Sequence, residues 1–136
     1  MKLEINKDKS RLNVNLIHDY LCNHSYWAKG VTKNIVERSI QNSECYGAFL
    51  DGEQIGFGRT ITDSATFAYL CDVFILPPHS GKGYGKLLVE YILDDEIHTT
   101  IRKMLLRSST AKELYRKYGF TELEKPEIMM ERKFAE

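Results

Sequence analysis

A chain of 136 residues can bury one good hydrophobic core but would be strained to build two, so we expect a single domain over residues 1–136. Its 19 basic side chains balance its 19 acidic ones, which excludes an overall field that would draw the protein to nucleic acid or to a lipid surface. The three cysteines are far apart without metal-ligand spacing, and no apolar stretch suits a signal peptide or a membrane span, so we expect a soluble cytoplasmic protein without a metal or a membrane partner.

The first forty residues predict two short helices joined by an aromatic loop. Val14, Ile17 and Leu21 recur at helical spacing, and a second helical pattern follows Thr32, which suits an N-terminal cap. Between the two patterns, residues 24–30 form a polar and aromatic segment that ends in glycine. We predict that this segment is a loop.

Three strands are predicted next. Residues 45–50 and 54–61 read as strands joined through Asp51 and Gly52, a pair that is typical of a tight hairpin turn. Residues 67–75 are almost continuously apolar, as expected of a central strand that is covered on both faces. Asp72 is the polar exception within this run.

The second half predicts a strand–helix–strand unit and a further short helix. A glycine-rich loop opens directly into a helix after the third strand, and residues 103–108 read as another strand, which calls for a parallel crossover. Thr110 and Glu113 have the spacing of a capping box for a short helix that ends at Gly119, and residues 127–131 read as a weak strand. The pattern predicts a mixed α/β fold in which helices flank a sheet.

The glycine-rich loop carries the first chemical signal. Gly81, Gly83 and Gly85 place amides without side chains at a helix N-terminus, where unpaired N–H groups and the helix dipole favour a phosphate or a pyrophosphate. Ser80 and Lys86 stand where a Walker A loop and a dinucleotide fingerprint, respectively, would each need a glycine. Taken alone, the loop is equally consistent with a plain tight turn.

Two segments together resemble the markers of the GNAT superfamily of acyl-CoA-dependent N-acetyltransferases. Residues 73–88 resemble its acyl-CoA-binding motif, a strand followed by Q/R-x-x-G-x-G/A and a helix, with Gly83 and Gly85 at the motif spacing. Residues 111–120 resemble its second marker, a short helix written A-x-x-L-Y-x-x-x-G-F. The resemblance extends over about residues 44–132. It implies a mostly antiparallel central sheet flanked by helices and acetyl-CoA as the co-substrate.

The resemblance also implies which residues contact acetyl-CoA. They are Val73, Phe74, Ile75, Ser80, Gly81, Lys82, Gly83, Tyr84, Gly85, Lys86 and Ser108. Ser80 stands where the family usually has Gln or Arg, and Ser108 stands where many relatives have an Asn that contacts the pantetheine arm or the helix turn. Since backbone amides supply most of this kind of anion binding, we expect weaker CoA affinity rather than its loss.

For the chemistry, the resemblance implies direct attack of a neutral amine on the thioester. A backbone N–H near Val73 to Ile75 would stabilise the charge on the carbonyl oxygen. Tyr115 stands at the family's position for the acid that protonates the leaving thiolate; the alternative is a core tyrosine. Asp72 is a candidate general base, because burial would raise the pKa of a carboxylate in an apolar strand. A structural role for Asp72, with a water chain as the base, is the alternative.

The acceptor amine is expected to be recognised by the first half of the chain, which varies most among such enzymes. The ring faces of Tyr26 and Trp27 could wall a pocket for an amine or cap the core, and Arg59 could bind a carboxylate on the acceptor. We expect the acceptor to be a primary amine of a small molecule. The alternatives are a protein or peptide amine, or a catalytically silent acyl-CoA sensor. An exposed edge strand near the C-terminus could pair two copies as a homodimer.

Overall fold

A five-stranded sheet organises the chain. The computed structural model describes residues 2–135. The strands lie side by side in chain order: β1 (Leu3–Asn6), β2 (Glu44–Leu50), β3 (Glu53–Thr62), β4 (Phe67–Ile75) and β5 (Lys103–Leu106). Strands β1 to β4 pair antiparallel, and β5 pairs parallel with β4. The predicted mixed, mostly antiparallel sheet is therefore confirmed.

The hairpin between β2 and β3 forms at the turn that the sequence predicts. Asp51 and Gly52 have φ values of 49° and 84°. A two-residue turn with two left-handed residues matches the right-handed twist of the strands that it joins. The turn thereby sets the register in which Leu50 faces Glu53.

The N-terminal segment covers one face of the sheet with two helices. Helix α1 (Val14–Asp19) starts from the N-cap Asn13 and continues as a π-helical turn over Tyr20–His24. Helix α2 (Lys33–Gln41) starts from Thr32, whose side-chain oxygen accepts a hydrogen bond from a first-turn amide, as predicted. Both helices pack on β2, β3 and β4 in a buried apolar cluster: Ile17, Leu21, Val36, Ile40, Cys45, Phe57 and Phe74.

Two further helices cover the opposite face. Helix α3 (Tyr84–Leu93) lies in the parallel connection from β4 to β5, and α4 (Lys112–Arg116) follows β5. The α4 segment ends in a Schellman motif, because Phe120 N–H donates to the Tyr115 carbonyl and Gly119 N–H donates to the Arg116 carbonyl. Gly119 has a φ of 91°, which confirms it as the cap. The buried members on this face are Tyr46, Leu70, Leu88, Val89, Ile92 and Tyr115.

Two local predictions near the C-terminus are wrong. The capping box of Thr110 and Glu113 does not form, because the N-cap position of α4 is Ala111. Residues 127–131 form no strand; a 3₁₀ turn over Pro126–Ile128 stands there instead, since proline suits the first turn of a helix better than a strand ladder. The sheet ends at β5, and the expected pairing of two copies through an edge strand near the C-terminus stays a prediction.

A buried polar contact fixes the end of α3 to the sheet. Asp95, just beyond α3, accepts a 2.7 Å hydrogen bond from the hydroxyl of Tyr46 and lies 2.7 Å from Lys7 Nζ. Burial, and then Asp95, raise the pKa of Tyr46 far above its usual value. Burial acts to raise the pKa of Asp95, but Lys7 and Tyr46 outweigh it and hold that pKa below its usual value. The carboxylate therefore stays charged and bound to both donors.

We expect Tyr46→Phe to lower the free energy of unfolding by about 1.5 to 3 kcal/mol, because it removes a hydrogen bond to a charged, largely buried acceptor. Tyr118→Phe is the matched control, since its hydroxyl donates to Glu90 Oε1 at 2.9 Å in an exposed position. That loss should stay within about 0.5 kcal/mol. Urea denaturation measures both variants, and equal small losses would contradict a stabilising role for the buried contact.

Candidate functional site

The cleft between β4 and β5 is formed where the two strands part. They pair only from Phe67 with Lys103 to Leu70 with Leu106. Beyond Leu70, β4 continues to Ile75 without a strand on its β5 side. The backbone of this part of β4 can therefore meet a ligand, and the loop that follows leads directly into α3.

A bulge in β4 explains why the strands part. Asp72 and Val73 together face Gly58 of β3, where the register of the pair shifts. Asp72 has a φ of 55°, in the left-handed region that Asp tolerates better than most residues. An extra residue bends its strand and increases the twist, so the end of β4 turns away from β5. A Cβ on Gly58 would lie 2.9 Å from Ile92 of α3, so the packing beneath the bulge favours glycine there.

The loop at the start of α3 presents a row of free backbone amides. From Gly81 to Lys86, none of the six N–H groups donates to an acceptor within residues 2–135. Gly81 and Gly83 have φ values of 77° and 87°, a left-handed backbone that L side chains rarely adopt. A Cβ on either glycine would meet no atom within 4 Å, so the space beside the loop is open. Free amides and the dipole of α3 together suit this loop to phosphate groups.

The side chains around this loop add two cations and one hydroxyl. Lys82 and Lys86 are exposed, and neither makes a salt bridge to any described residue. Both ammonium groups are therefore available to an anion. The hydroxyl of Ser80 donates a 2.8 Å hydrogen bond to the carbonyl of Pro77. Ser80 thus holds the turn before the loop, and its hydroxyl hydrogen is engaged there.

Tyr115 belongs to the cluster between α3, α4 and the sheet. It is 8% exposed, and its ring packs edge to face on Phe120 at 5.7 Å between centroids. Among residues 2–135 its hydroxyl has no hydrogen-bond partner, yet the oxygen reaches accessible space. Burial raises the pKa of Tyr115 to about 12, and the nearby Tyr26 adds to the rise. The phenol is therefore protonated at physiological pH and free to donate.

Asp72 is held by donors from two other elements. Trp27 Nε1–H donates to Oδ1 at 2.8 Å, and Arg59 Nε–H donates to Oδ2 at 2.6 Å. The side chains of Arg59 and Asp72 are 14% and 9% exposed, so the ion pair is largely out of water. Burial acts to lower the pKa of Arg59, but Asp72 outweighs it and holds that pKa above its usual value. These contacts favour a structural role for Asp72 over a role as a free base.

The aromatic loop between α1 and α2 reaches both strands of the cleft. The hydroxyl of Tyr26 accepts a 3.0 Å hydrogen bond from the amide of Ser109, just past β5. Hydrogen bonding from Ser109 lowers the pKa of Tyr26. Trp27 reaches Asp72 on β4, and the Tyr26 and Trp27 rings meet edge to face at 5.1 Å. The two aromatic residues therefore border the cleft, and their role as a pocket wall stays a prediction.

The residues of β4 that were predicted to contact acetyl-CoA pack their side chains into the two cores, so their backbone borders the cleft. The Phe74 side chain lies in the core cluster beneath α1, and Val73 and Ile75 pack against the cluster beneath α3. Ser108 Oγ accepts a 2.9 Å hydrogen bond from the amide of Ala111. Ser108 therefore stabilises the turn into α4, which is one of the two roles expected for this position.

Sequence reasoning missed three groups beside the cleft: the amide of Ser109 and the side chains of Tyr69 and Arg107. Cys71 pairs with Arg59, and Tyr69 is two residues before Cys71 on the same strand. The side chains of Tyr69 and Arg59 therefore face the same side of the sheet. Arg107 follows the end of β5 on that side. The alternation of side chains along predicted strands was the signal that could have found the last two.

Three further findings concern metals, membranes and thiols. Within residues 2–135, no three His, Cys, Asp or Glu side chains lie together as metal ligands would. Over the same span, no helix combines the length and the apolar character that crossing a bilayer requires. The cysteines are free, and burial raises the pKa of Cys71 to about 12 against the opposing effect of Arg59. The Cys71 thiol therefore stays protonated, which suits a packing role.

Comparison with known proteins gives a consistent assignment. The model of the acetyltransferase (GNAT) domain matches residues 41–122, more than half of the chain. A protein of Gibberella zeae that is provisionally named an acetyltransferase is 28% identical over 134 residues, which is 83% of this chain and 75% of that protein.

Two crystal structures show the same fold. A protein of Xanthomonas campestris pv. campestris, provisionally assigned as an acetyltransferase of the GNAT family, is 41% identical with a TM-score of 0.95, over 98% of this chain and 94% of that one. Glucosamine-6-phosphate N-acetyltransferase of Arabidopsis thaliana has a TM-score of 0.67 at 19% identity, over 99% of this chain and 100% of that one. At that identity, the second comparison carries information on the fold alone.

The contacts of Asp72 generate a stability prediction. Asp72→Asn keeps the shape of the side chain but leaves the charge of Arg59 buried without its counter-ion, so we expect a loss of about 3 kcal/mol in the free energy of unfolding. Trp27→Phe removes one neutral donor and should cost about 1 kcal/mol. Urea denaturation compares the two variants. A folded Asp72→Asn protein of unchanged stability would contradict the structural role and return Asp72 to the candidate bases.

Proposed function

The chain belongs to the GNAT acetyltransferase family, and we propose that it transfers an acetyl group from acetyl-CoA to a primary amine of a small molecule. The observation that carries the proposal is the row of six unpaired amides from Gly81 to Lys86, set at the N-terminus of α3 beside the parted strands. A thioester attached to a pyrophosphate through a long arm needs both features. It needs an anion site for the phosphates and a free strand edge for the acyl end.

The donor fits the loop by charge and by shape. Gly81 and Gly83 leave open space where side chains would otherwise project, so phosphate oxygens can approach the backbone N–H groups closely. Lys82 and Lys86 add two mobile positive charges at the edge of this site. Acetyl-CoA supplies an activated carbonyl, and the task of the protein is to orient it. The engaged hydroxyl of Ser80 is consistent with affinity that rests mainly on the backbone.

The free edge of β4 supports stabilisation of the transition state. When an amine attacks a thioester, the carbonyl oxygen gains negative charge, and a fixed N–H donor lowers the barrier most when it points at that oxygen. Residues 73–75 have no strand on the β5 side to compete for their backbone groups. We assign the N–H group that stabilises the carbonyl oxygen to residues 73–75, because their side chains are committed to the two cores on either face.

Tyr115 is the residue that we assign as general acid. Its pKa of about 12 keeps the proton on the oxygen, but it would make transfer to an ordinary thiolate uphill. The leaving thiolate, however, forms in the same poorly solvated region, where burial disfavours its charge too. A more basic thiolate lessens the uphill cost of the proton transfer.

We assign the removal of the amine proton to water. Both carboxylate oxygens of Asp72 already accept hydrogen bonds, from Trp27 and Arg59. If Asp72 took up the amine proton, its ion pair with Arg59 would be lost. Ordered water between the solvent and the cleft can remove the proton without this cost. Asp72 then acts by positioning Arg59 and Trp27.

The aromatic loop favours a small acceptor over a polypeptide. Tyr26 is tied to Ser109 beyond β5, and Trp27 is tied to Asp72 on β4, so one loop bridges both sides of the cleft. An extended peptide would need an open groove at this place, whereas a small amine can enter beneath a bridge. Tyr26, Trp27 and Arg59 are accordingly the residues that we assign to acceptor binding.

Gly83→Ala tests the donor site. Saturating CoA should raise the melting temperature of the wild-type protein, because a ligand that binds only the folded state stabilises it by about 2.7 kcal/mol at 100 times its Kd. The added methyl group projects into the space that the phosphates would occupy. We therefore expect Gly83→Ala to weaken CoA binding by about tenfold or more, equivalent to at least 1.4 kcal/mol, as measured by calorimetry.

Gly52→Ala is the matched control for that experiment. Gly52 has a φ of 84° and open space around its Cβ position, so alanine brings the same backbone strain in the β2–β3 turn. Its CoA affinity should equal that of the wild type. Absence of a melting shift with millimolar CoA, or equal affinities of both variants, would reject the loop as the donor site.

Tyr115→Phe tests the acid. Because the hydroxyl has no protein partner among the described residues, its removal should leave the free energy of unfolding nearly unchanged. General acid catalysis typically contributes about 10²- to 10⁴-fold, so kcat should fall within or somewhat below that range while the KM for acetyl-CoA is little changed. Release of free thiol in the presence of an active amine measures the rate.

The outcome separates the acid from a core tyrosine. Tyr91→Phe removes a hydroxyl from a partly exposed position on α3 and should leave kcat and stability unchanged. If Tyr115→Phe turned over at the wild-type rate, Tyr115 would have no part in the mechanism, and solvent would protonate the thiolate. Loss of turnover in both variants would point to a general effect on the α3 face.

A further inference from the structure

We propose that the acceptor amine carries a second, anionic group, a carboxylate or a phosphate, and that Arg59 and Arg107 bind this group on the sheet face beside Tyr69. The inference rests on the proposed function, because only that function makes the ligand an acceptor of the acetyl group. The anion site itself depends only on the side chains of this sheet face. It lies on the α1–α2 side of the sheet, away from the loop assigned to the CoA phosphates.

Arg59 has donors to spare and a fixed position. Its Nε–H is bound to Asp72 Oδ2 at 2.6 Å, which locks the plane of the guanidinium. Neither Nη takes part in a hydrogen bond with any residue of the described chain, and neither is buried without access to solvent. The two Nη atoms carry four N–H donors, and the side chain as a whole is 14% exposed. This fork matches the two oxygens of a carboxylate or a phosphate.

Tyr69 lies on the same face of the sheet as this guanidinium and near a second one, that of Arg107. Burial raises the pKa of the Tyr69 phenol, and the charges of Arg107 and Arg59 both act to lower it, so both cations lie within electrostatic range of its ring. Tyr69 pairs with Leu105 across the sheet, and Arg107 is two residues further along the same face. Arg107 is exposed and makes no salt bridge within residues 2–135, so its charge is also uncommitted.

The local charge balance favours an anion in a protein that is neutral overall. Asp72 offsets one of the two guanidinium charges and leaves the other uncompensated on this face. Asp63, in the β3–β4 connection, is bound by the amides and the hydroxyl of its own turn. An open cavity of about 360 Å³ lies toward the β3–β4 turn and is lined by Ile61, Thr62, Asp63, Phe67 and Tyr69, so Tyr69 is common to this cavity and to the arginine surface. The surface thus combines unpaired donors with open space beside Tyr69.

Selectivity follows from the donors that a neutral ligand would leave unpaired. A site built to hydrogen-bond a charged group rejects an analogue that lacks the group far more strongly than an apolar pocket rejects a missing methylene. Because Asp72 holds Arg59 in place before the ligand arrives, little side-chain freedom is lost on binding. An amine with a carboxylate or a phosphate should therefore be preferred to its neutral analogue.

The test uses matched amines with the full-length protein and acetyl-CoA. β-Alanine, 2-aminoethylphosphonate and β-alaninamide share a similar chain and amine and differ in the distal group. Free-thiol release gives kcat/KM for each, and calorimetry on the CoA-saturated protein measures their binding without turnover. We expect the carboxylate, the phosphonate or both to exceed the amide by about 10- to 100-fold in kcat/KM and in affinity. The ratio of carboxylate to phosphonate identifies which anion the site prefers.

Two variants keep the test independent of folding. Arg107→Gln removes an exposed charge, and Arg59→Lys retains the pairing with Asp72 but lacks the second arm of the fork. Each should lower the ratio of kcat/KM for the anionic amine to kcat/KM for the amide by about tenfold or more. Arg102→Gln removes an exposed charge just before β5 and is the matched control, which should behave as the wild type.

The outcomes separate this inference from the proposed function. Equal use of acid and amide by the wild type, or an unchanged ratio in both variants, would overturn the anion site while leaving acetyl transfer intact. Charge-dependent binding that both variants weaken, without thiol release from any amine, would support the anion site and reject the proposed function. Neither charge-dependent binding nor thiol release would reject both.

Discussion

The bend of β4 at Asp72 is the constraint on which the cleft depends. A non-glycine residue in the left-handed region costs on the order of 1–3 kcal/mol, so it persists only where its surroundings fix it. Here the surroundings are Gly58 across the pair, the guanidinium of Arg59 and the indole of Trp27. The ion pair and the indole hydrogen bond offset the strain. Without the bend, β5 could follow β4 to its end and cover the edge that the proposed transfer needs.

The parted strands also connect the two faces of the sheet. The glycine-rich loop leads into α3, and Tyr115 lies on α4, so the groups assigned to the donor gather on one face. Arg59, Tyr69 and the aromatic loop lie on the face of α1 and α2. In the proposed reaction, the two substrates would approach the gap from opposite sides and meet in one complex, as direct transfer requires.

The sequence predicted the elements well and their contacts poorly. Apolar periodicity, the Asp51–Gly52 turn and the Thr32 cap are local signals, because they depend on residues close in the chain, and they gave the order of helices and strands. The capping box predicted at Thr110 does not form, because Ala111 occupies the N-cap position of α4. Trp27, Arg59 and Asp72 were each singled out for separate roles, yet they form one contact across 45 residues, which no local pattern encodes.

The place of Trp27 has a practical consequence for anyone who handles this protein. It is the single tryptophan of the chain, so the ultraviolet emission excited at long wavelength comes from one indole. That indole is partly exposed, donates to a carboxylate that is itself ion-paired, and stands at the rim of the cleft. Its emission is sensitive to the polarity and the charge around it. The molecule thus carries a native optical reporter at the boundary between its N-terminal helices and its central strand.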